Sequence, residues 1–235
     1  MNKFRYFRDL VPTSGWCRCG ELFCAVAGYN QTMRSIELPE HEIVKLVFDS
    51  EYTLSEEDYL AFCRANPGLR CERTAEGEII IVPPAGGEGA YRSGEAFLQL
   101  GQWSRQDGRG RSFDSSVEFL LPDGSALSPD ASWVSNDSLA RLTREQRREF
   151  LRLSPEFVIE VMSPSDRLKS AKAKMERWTK NGVELGWLID GDRETVYVYR
   201  KGRSPVTRRG LQEIAADGAM KGFVLKLGAI WRGLE

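Results

Sequence analysis

An apolar run with one carboxylate inside it constrains the fold of this chain more than any other feature. The run is Phe157-Val158-Ile159-Glu160-Val161-Met162, and its β-branched residues and short length are typical of a buried strand. Burying an ionised carboxylate costs several kcal/mol unless the group is paired or binds a metal ion. The burial cost alone leaves a structural and a functional role for Glu160 equally open.

The order of the other elements predicts the fold class. Capping residues, Gly/Pro turns and hydrophobic periodicity predict helices over residues 55–66, 91–106, 143–151 and 165–180, and strands over 69–74, 78–82, 117–121, 126–134, 185–190 and 195–200. This order is typical of an α/β protein with a mixed β-sheet flanked by helices. We expect a poorly ordered N-terminal extension over residues 1–50 and a single domain over 51–235, with Met33 as an alternative start that the sequence leaves open.

Composition excludes several classes of function. Lys and Arg number 33 against 34 Asp and Glu, so no global positive field attracts nucleic acid, and contact with a polyanion needs a local patch. No apolar run approaches the roughly 20 residues of a membrane-spanning helix, so no membrane partner is expected. The odd count of five cysteines indicates a reducing, cytoplasmic location. Since His41 is the only histidine, catalysis must depend on carboxylates, lysines or a bound metal.

A second carboxylate, Asp130, lies where a metal ligand would be useful. It follows Pro129 and enters the apolar strand Ala131-Ser132-Trp133-Val134. Alone, an aspartate after proline is more often a turn residue. Carboxylates on two neighbouring strands can meet at one face of a sheet, however, and their repulsion favours a divalent cation. Ligation by oxygen alone suits Mg²⁺ or Mn²⁺, which can activate water and screen a scissile phosphate.

The ordered series of short motifs resembles the Uma2 restriction-endonuclease family, within the PD-(D/E)XK nuclease superfamily. The series comprises Gly94-Glu95, Phe113-Asp114-Ser115-Ser116, Leu121-Pro122-Asp123-Gly124, Ser128-Pro129-Asp130-Ala131, Phe157-Val158-Ile159-Glu160, Ser163-Pro164-Ser165-Asp166, Lys174-Met175 and Asn181-Gly182-Val183. The resemblance covers residues 52–200. It implies a restriction-endonuclease-like fold with Asp130 and Glu160 as metal ligands and Glu95 as a further acidic residue of the site.

The position of the catalytic lysine departs from the plain superfamily motif. A simple (D/E)-x-K spacing would put lysine at position 162, where this chain has Met162. The resemblance instead implies Lys174, on the following helix. Lys172 and Lys174 lie on opposite flanks of the helix, about equally far from the centre of its apolar face, so periodicity leaves Lys172 open.

The resemblance implies a metal-dependent endonuclease that hydrolyses phosphodiester bonds in DNA, with Mg²⁺ or Mn²⁺ as cofactor. A homodimer is a further expectation, since cutting two strands is easiest with two sites. The alternative is a catalytically inactive nuclease-fold module that binds nucleic acid or a partner protein, which the near-zero net charge and Met162 favour. A glycosidase using two carboxylates would need an aromatic sugar cleft, whereas the tryptophans lie at core spacing.

Overall fold

Five α-helices and fifteen strands make up the part of the chain that the computed structural model describes, which is residues 22–23, 32–37, 44–48 and 54–235. The helices are α1 Glu56–Ala65, α2 Gly87–Asp107, α3 Asn136–Ala140, α4 Leu168–Lys180 and α5 Gly228–Arg232. The strands are β1 Leu22–Phe23, β2 Thr32–Glu37, β3 Val44–Phe48, β4 Cys71–Arg73, β5 Ile79–Ile81, β6 Gly110–Asp114, β7 Phe119–Leu120, β8 Ala126–Leu127, β9 Ala131–Ser135, β10 Phe157–Val161, β11 Leu185–Asp190, β12 Thr195–Arg200, β13 Arg203–Arg209, β14 Glu213–Ala215 and β15 Val224–Lys226.

The described strands form two large sheets and one small one. The seven-stranded sheet has the order β1-β2-β3-β5-β4-β8-β7, the six-stranded sheet has the order β13-β12-β11-β10-β9-β6, and β14 pairs with β15. In the six-stranded sheet β10 is parallel to β11 and antiparallel to β9. The protein is therefore a mixed α/β structure with helices on its central sheet, as the element order predicts.

Strand β10 lies at the centre of the six-stranded sheet and separates two hydrophobic cores. Phe157, Ile159 and Val161 point into a core that includes helix α2, whereas Val158 points into a core that includes helix α4. All five residues of β10 are buried. A strand covered on both faces is expected to be almost continuously apolar, so the one acidic residue of β10, Glu160, needs partners within the protein.

Helix α4 connects the parallel strands β10 and β11 and packs closely on the sheet. Gly186 of β11 makes this approach possible, because a Cβ atom there would lie only 2.5 Å from the Met175 methyl group of the helix. Met175 and Trp178 form the buried side of α4. The close packing brings the polar flank of the helix within hydrogen-bond distance of the sheet.

The structure corrects several predicted elements. The single strand predicted over 126–134 is two strands in different sheets, β8 and β9, because Pro129 lacks the N–H that a continuous ladder needs. Helix α2 begins at Gly87, within the glycine-rich segment that favours a loop. Residues 143–151 contain only the 3₁₀ turn Gln146–Arg148, and helix α4 begins after Arg167, not at residue 165 as predicted.

The predicted division of the chain at residue 50 stays a prediction. Residues 1–50, which the sequence predicts as a poorly ordered extension, lie mostly outside the described residues. Within the described ones, β3 pairs with β5 and thereby joins the seven-stranded sheet. None of the described helices is long and apolar enough to cross a membrane.

Candidate active site

The register of β9 and β10 places the two predicted metal ligands opposite each other. Ala131 pairs with Ile159 in this antiparallel ladder, so Asp130 faces Glu160 one position beyond the last pair. Residues directly opposite in antiparallel strands have Cβ atoms about 5 Å apart. The Oδ2 atom of Asp130 accepts a hydrogen bond from the Val161 N–H group at 2.7 Å, which ties the two strand ends together.

Helix α4 brings Lys174 to the Glu160 carboxylate. The Nζ atom of Lys174 lies 3.0 Å from Oε1 and 3.2 Å from Oε2 of Glu160. It also donates to the backbone oxygen of Ser128, two residues before Asp130, at 2.8 Å. One ammonium group therefore contacts β10 and the turn that leads into β9.

The other flank of α4 carries Lys172, which contacts a different part of the protein. Its Nζ atom lies 4.5 Å from the ring centroid of Tyr197 on β12, a cation–π contact. Between the two lysines that periodicity leaves open, the structure thus places Lys174 beside Glu160 and Lys172 over an aromatic ring.

Trp178 is a further partner of Glu160. Its indole Nε1–H donates to Glu160 Oε1 at 2.8 Å, one helical turn beyond Lys174. Trp178 is fully buried, so this hydrogen bond fixes the carboxylate in a dry environment. In the sequence, Trp178 is one more apolar residue of the helix, and nothing in the pattern distinguishes an indole that also donates a hydrogen bond.

Two buried glutamates from the seven-stranded sheet and its flank complete the acidic cluster, and sequence reasoning missed both. Glu72 of β4 forms an ion pair with Lys174, with 2.8 Å between Glu72 Oε1 and Lys174 Nζ. Glu118, directly before β7, accepts a hydrogen bond from the buried Tyr59 hydroxyl. Glu72 is 6% exposed and Glu118 7% exposed. The sequence signal that could have revealed Glu72 is its position within a short strand. Because Cys71–Arg73 is so short and polar, the sequence does not show that this acid is buried.

The environment of these groups shifts their proton affinities. Burial, with the nearby charges of Asp130 and Glu72, raises the pKa of Glu160 to about 7, although Lys174 and the Trp178 hydrogen bond act in the opposite direction. Burial also raises the pKa of Asp130. Burial alone would lower the pKa of Lys174, but the carboxylates of Glu160 and Glu72 raise it above its ordinary value. Lys174 is therefore an ammonium at neutral pH.

Glu118 has the same kind of shift as Glu160. Burial, together with the charge of Glu72, raises the pKa of Glu118 to about 8, and the Tyr59 hydrogen bond opposes this. The cluster thus holds more acidic groups than one lysine neutralises. Strongly shifted groups brought together in this way are typical of functional sites.

Glu95, the fourth predicted site residue, lies on α2. The buried residues Ala96 and Leu100 of that helix pack into the core on the face of the sheet opposite α4. The Glu95 carboxylate accepts a hydrogen bond from Gln99 at 2.8 Å. Among the described residues, no hydrogen bond or ion pair joins it to Asp130, Glu160 or Lys174. Its role stays a prediction.

The donor set fits a hard divalent cation. Asp130 and Glu160 offer carboxylate oxygens from neighbouring strands. Burial raises the pKa of both carboxyl groups, and the charge of Asp130 raises that of Glu160 further, a repulsion that a bound cation would relieve. No group of three or more His, Cys, Asp or Glu side chains in the described ranges has the geometry of a metal site. A third protein ligand is not required, because Mg²⁺ is commonly bound through one or two carboxylates, water and substrate phosphate.

Comparison with solved structures shows that the fold is shared with another protein. The crystal structure of "a putative nuclease belonging to DUF820" from Anabaena variabilis superimposes with a TM-score of 0.60 and 22% sequence identity, over 70% of this chain and 91% of the other. A family model described as "Putative restriction endonuclease" matches residues 56–228. The chain therefore belongs to the Uma2 family, as its motifs indicate. No curated protein matches it.

Proposed function

We propose that this protein is a metal-dependent endonuclease that hydrolyses phosphodiester bonds in DNA, with Mg²⁺ or Mn²⁺ held by Asp130 and Glu160. One observation carries the proposal: the Lys174 ammonium lies 3.0 Å from the Glu160 carboxylate, which faces Asp130 across the strand pair. Two acidic ligands beside a permanent positive charge are the groups that metal-assisted phosphodiester hydrolysis requires. Membership of the Uma2 family supports a nuclease activity.

Each side chain of the site has a defined task in this proposal. A bound ion would supply Lewis-acid activation of water and positive charge at the phosphate. Lys174 contributes a preorganised ammonium beside the position where negative charge develops. Trp178 holds the Glu160 carboxylate in place and excludes water behind it. Glu95 is proposed as an additional acid of the site, with the smallest contribution because it contacts none of the other three.

Cleavage of covalently closed plasmid DNA tests the proposal, since a closed circle has no ends for an exonuclease. Nicked and linear products are expected with Mg²⁺ or Mn²⁺ and none with a chelator. Asp130→Ala should abolish cleavage. Asp114→Ala is a matched control, because Asp114 ends the neighbouring strand β6 opposite Ala131 and bonds to Ser116. Absence of cleavage with either ion, or wild-type cleavage by Asp130→Ala, would refute the proposal.

The alternative, a catalytically inactive module that binds nucleic acid or a partner protein, draws on one feature of the site. Asp130 already has a structural task, since its Oδ2 atom accepts the Val161 N–H group. A module of this kind would bind DNA with the same affinity in chelator and in Mg²⁺, without product formation. Metal-dependent affinity together with cleavage would exclude it. The homodimer expected from the sequence also stays a prediction.

A further inference from the structure

Glu72 is a buried carboxylate to which the proposed nuclease chemistry assigns no task, yet it contacts two parts of the site. It lies on β4, in the seven-stranded sheet, whereas Asp130 and Glu160 belong to the six-stranded sheet. Its Oε1 atom lies 2.8 Å from Lys174 Nζ and accepts the Ser128 N–H group at 3.1 Å. A single oxygen atom therefore joins the lysine to the turn that leads into Asp130.

Lys174 has three partner groups for its three N–H bonds. An ammonium carries three donors and no acceptor, and the partners of Nζ are Glu72 Oε1, the Ser128 oxygen and the Glu160 carboxylate. These three partners fix both the position and the rotation of the ammonium group. Loss of the Glu72 contact would leave one donor without its protein partner and the long side chain free to move.

The turn before Asp130 is held through the same pair of residues. The N–H group of Ser128 donates to Glu72 and its C=O group accepts from Lys174, so both backbone polar groups of this residue are satisfied within the cluster. Asp130 follows two residues later, after Pro129, which restricts the backbone of the turn. Displacement of the Glu72 carboxylate would consequently move the lysine and the start of β9 together.

We infer that Glu72 is a positioning residue of the site: it fixes Lys174 against Glu160 and holds the Ser128-Pro129-Asp130 turn in register with β10. The inference rests on the proposed nuclease function. Glu72 is only 6% exposed, so it acts through Lys174 and Ser128 without touching substrate. Because one atom, Oε1, accepts both contacts, its position matters more than the charge of the group.

Two substitutions of Glu72 separate position from charge. Glu72→Gln removes the charge but keeps an Oε1 acceptor at the same distance from the backbone. Glu72→Asp keeps the charge but withdraws the oxygens by one methylene. For plasmid cleavage, we expect kcat of Glu72→Asp to fall by about 100-fold with KM nearly unchanged, because a displacement of about 1 Å costs that much. For Glu72→Gln we expect kcat within about threefold of the wild type.

Glu156 offers a matched control for both substitutions. It is a partly buried glutamate whose carboxylate accepts three hydrogen bonds from Ser135 and Ser138, remote from Lys174. Glu156→Asp and Glu156→Gln should leave kcat unchanged. The inference is overturned if Glu72→Asp has the kcat of the wild type, if its defect lies in KM, or if Glu72→Gln loses as much kcat as Glu72→Asp.

A second measurement decides the inference even if the wild-type protein cleaves no DNA, a result that would refute the proposed function. The rate at which an amine-reactive acetate ester acetylates Lys174 is followed by peptide mass spectrometry, with Lys172 as the internal reference. Glu72→Asp should accelerate acetylation of Lys174 only, because its ammonium is no longer held. Equal rates at Lys174 in the wild type and Glu72→Asp would show that Glu72 does not position the lysine.

Discussion

Two glutamates four residues apart, at opposite ends of β10, have contrasting environments. Glu156, just before the strand, accepts hydrogen bonds from the Ser135 N–H group at 3.0 Å, the Ser135 hydroxyl at 2.6 Å and the Ser138 hydroxyl at 2.7 Å. Glu160, near the end of the strand, interacts with the Lys174 ammonium and the Trp178 indole. Neutral donors satisfy the first carboxylate, whereas a cation is needed to hold the second.

The difference shows which carboxylate the fold uses for stability and which it tolerates at a cost. Hydroxyl and N–H donors stabilise Glu156 at the junction of β9 and α3. Glu160 is buried beside Asp130 and Glu72, and its pKa is raised to about 7, so the folded protein disfavours its ionised form. Acids kept in so unfavourable a setting are typical of functional sites.

Within this comparison, the largest expected effect follows removal of the cation from the Glu160 end of the strand. Lys174→Met leaves two buried carboxylates, Glu72 and Glu160, without their ion-pair partner. We expect cleavage to fall by about 10³-fold and the free energy of unfolding at pH 8 to fall by about 3 kcal/mol. Plasmid cleavage and denaturant-induced unfolding measure the two effects.

Lys172→Met is the matched control for this substitution, on the same helix. It removes only a cation–π contact with Tyr197, which is worth about 1 kcal/mol or less, and should leave cleavage unchanged. A larger loss of activity in Lys172→Met than in Lys174→Met would mean that the catalytic lysine is Lys172, on the other flank of α4.

Next in size is the difference between the same substitution at the two ends of β10. Glu160→Gln should lower cleavage by about 100-fold without lowering stability at pH 8, because a neutral amide can still accept from Trp178 and carries no buried charge. Glu156→Gln should keep full activity and lose about 1 kcal/mol of stability, since its NH₂ group cannot accept from the serines. Cleavage rates and unfolding midpoints test the comparison. It would be contradicted if the two variants lost activity and stability to the same extent.

The raised pKa values predict that stability decreases as pH rises. Glu160 and Glu118 have folded-state pKa values of about 7 and about 8, above their ordinary value of 4.5. At pH values between the unfolded-state and folded-state pKa values, the folded state binds more protons than the unfolded state. The contribution of these two groups to stability is therefore greatest below about pH 4.5 and is lost by about pH 8. The raised pKa of Asp130 acts in the same direction.

Glu118→Gln isolates one part of this dependence. Because glutamine does not ionise, the variant should lose less stability than the wild type between pH 5 and 8, by about 3 kcal/mol. Denaturant midpoints measured at several pH values give both slopes. Identical slopes for the two proteins would mean that Glu118 is ionised in the folded state without cost.

The parts of the fold predicted correctly from sequence are those with strong local patterns. Strands β11 and β12 have the predicted bounds, because continuous apolar or alternating residues end at clear turns. Strand β13 is exposed along its whole length, so Arg203–Arg209 lacks the alternation that indicates a strand. Helix α2 begins at glycines, which propensity alone assigns to a loop.

The acidic residues of the site also differ in whether the sequence reveals them. Glu160 is detectable because its neighbours along the strand are apolar. Glu72 and Glu118 become part of the site only through the approach of the seven-stranded sheet, since their partners Lys174 and Tyr59 are 102 and 59 residues away in sequence. Such contacts depend on tertiary packing, which periodicity does not encode.

The smallest expected effect concerns the hydrogen bond that holds Glu160 from behind. Trp178→Phe removes the indole donor, which lies 2.8 Å from Glu160 Oε1, and also some packing. Trp133→Phe is the matched control, because Trp133 is equally buried and its Nε1–H group has no hydrogen-bond partner among the described residues. The loss of stability at pH 8 should be larger for Trp178→Phe by about 1.5 kcal/mol, the lower end of the contribution of a hydrogen bond to a charged group. At pH 5, where Glu160 is protonated in the folded protein, the difference between the two variants should shrink, and an undiminished difference would mean that it comes from packing alone.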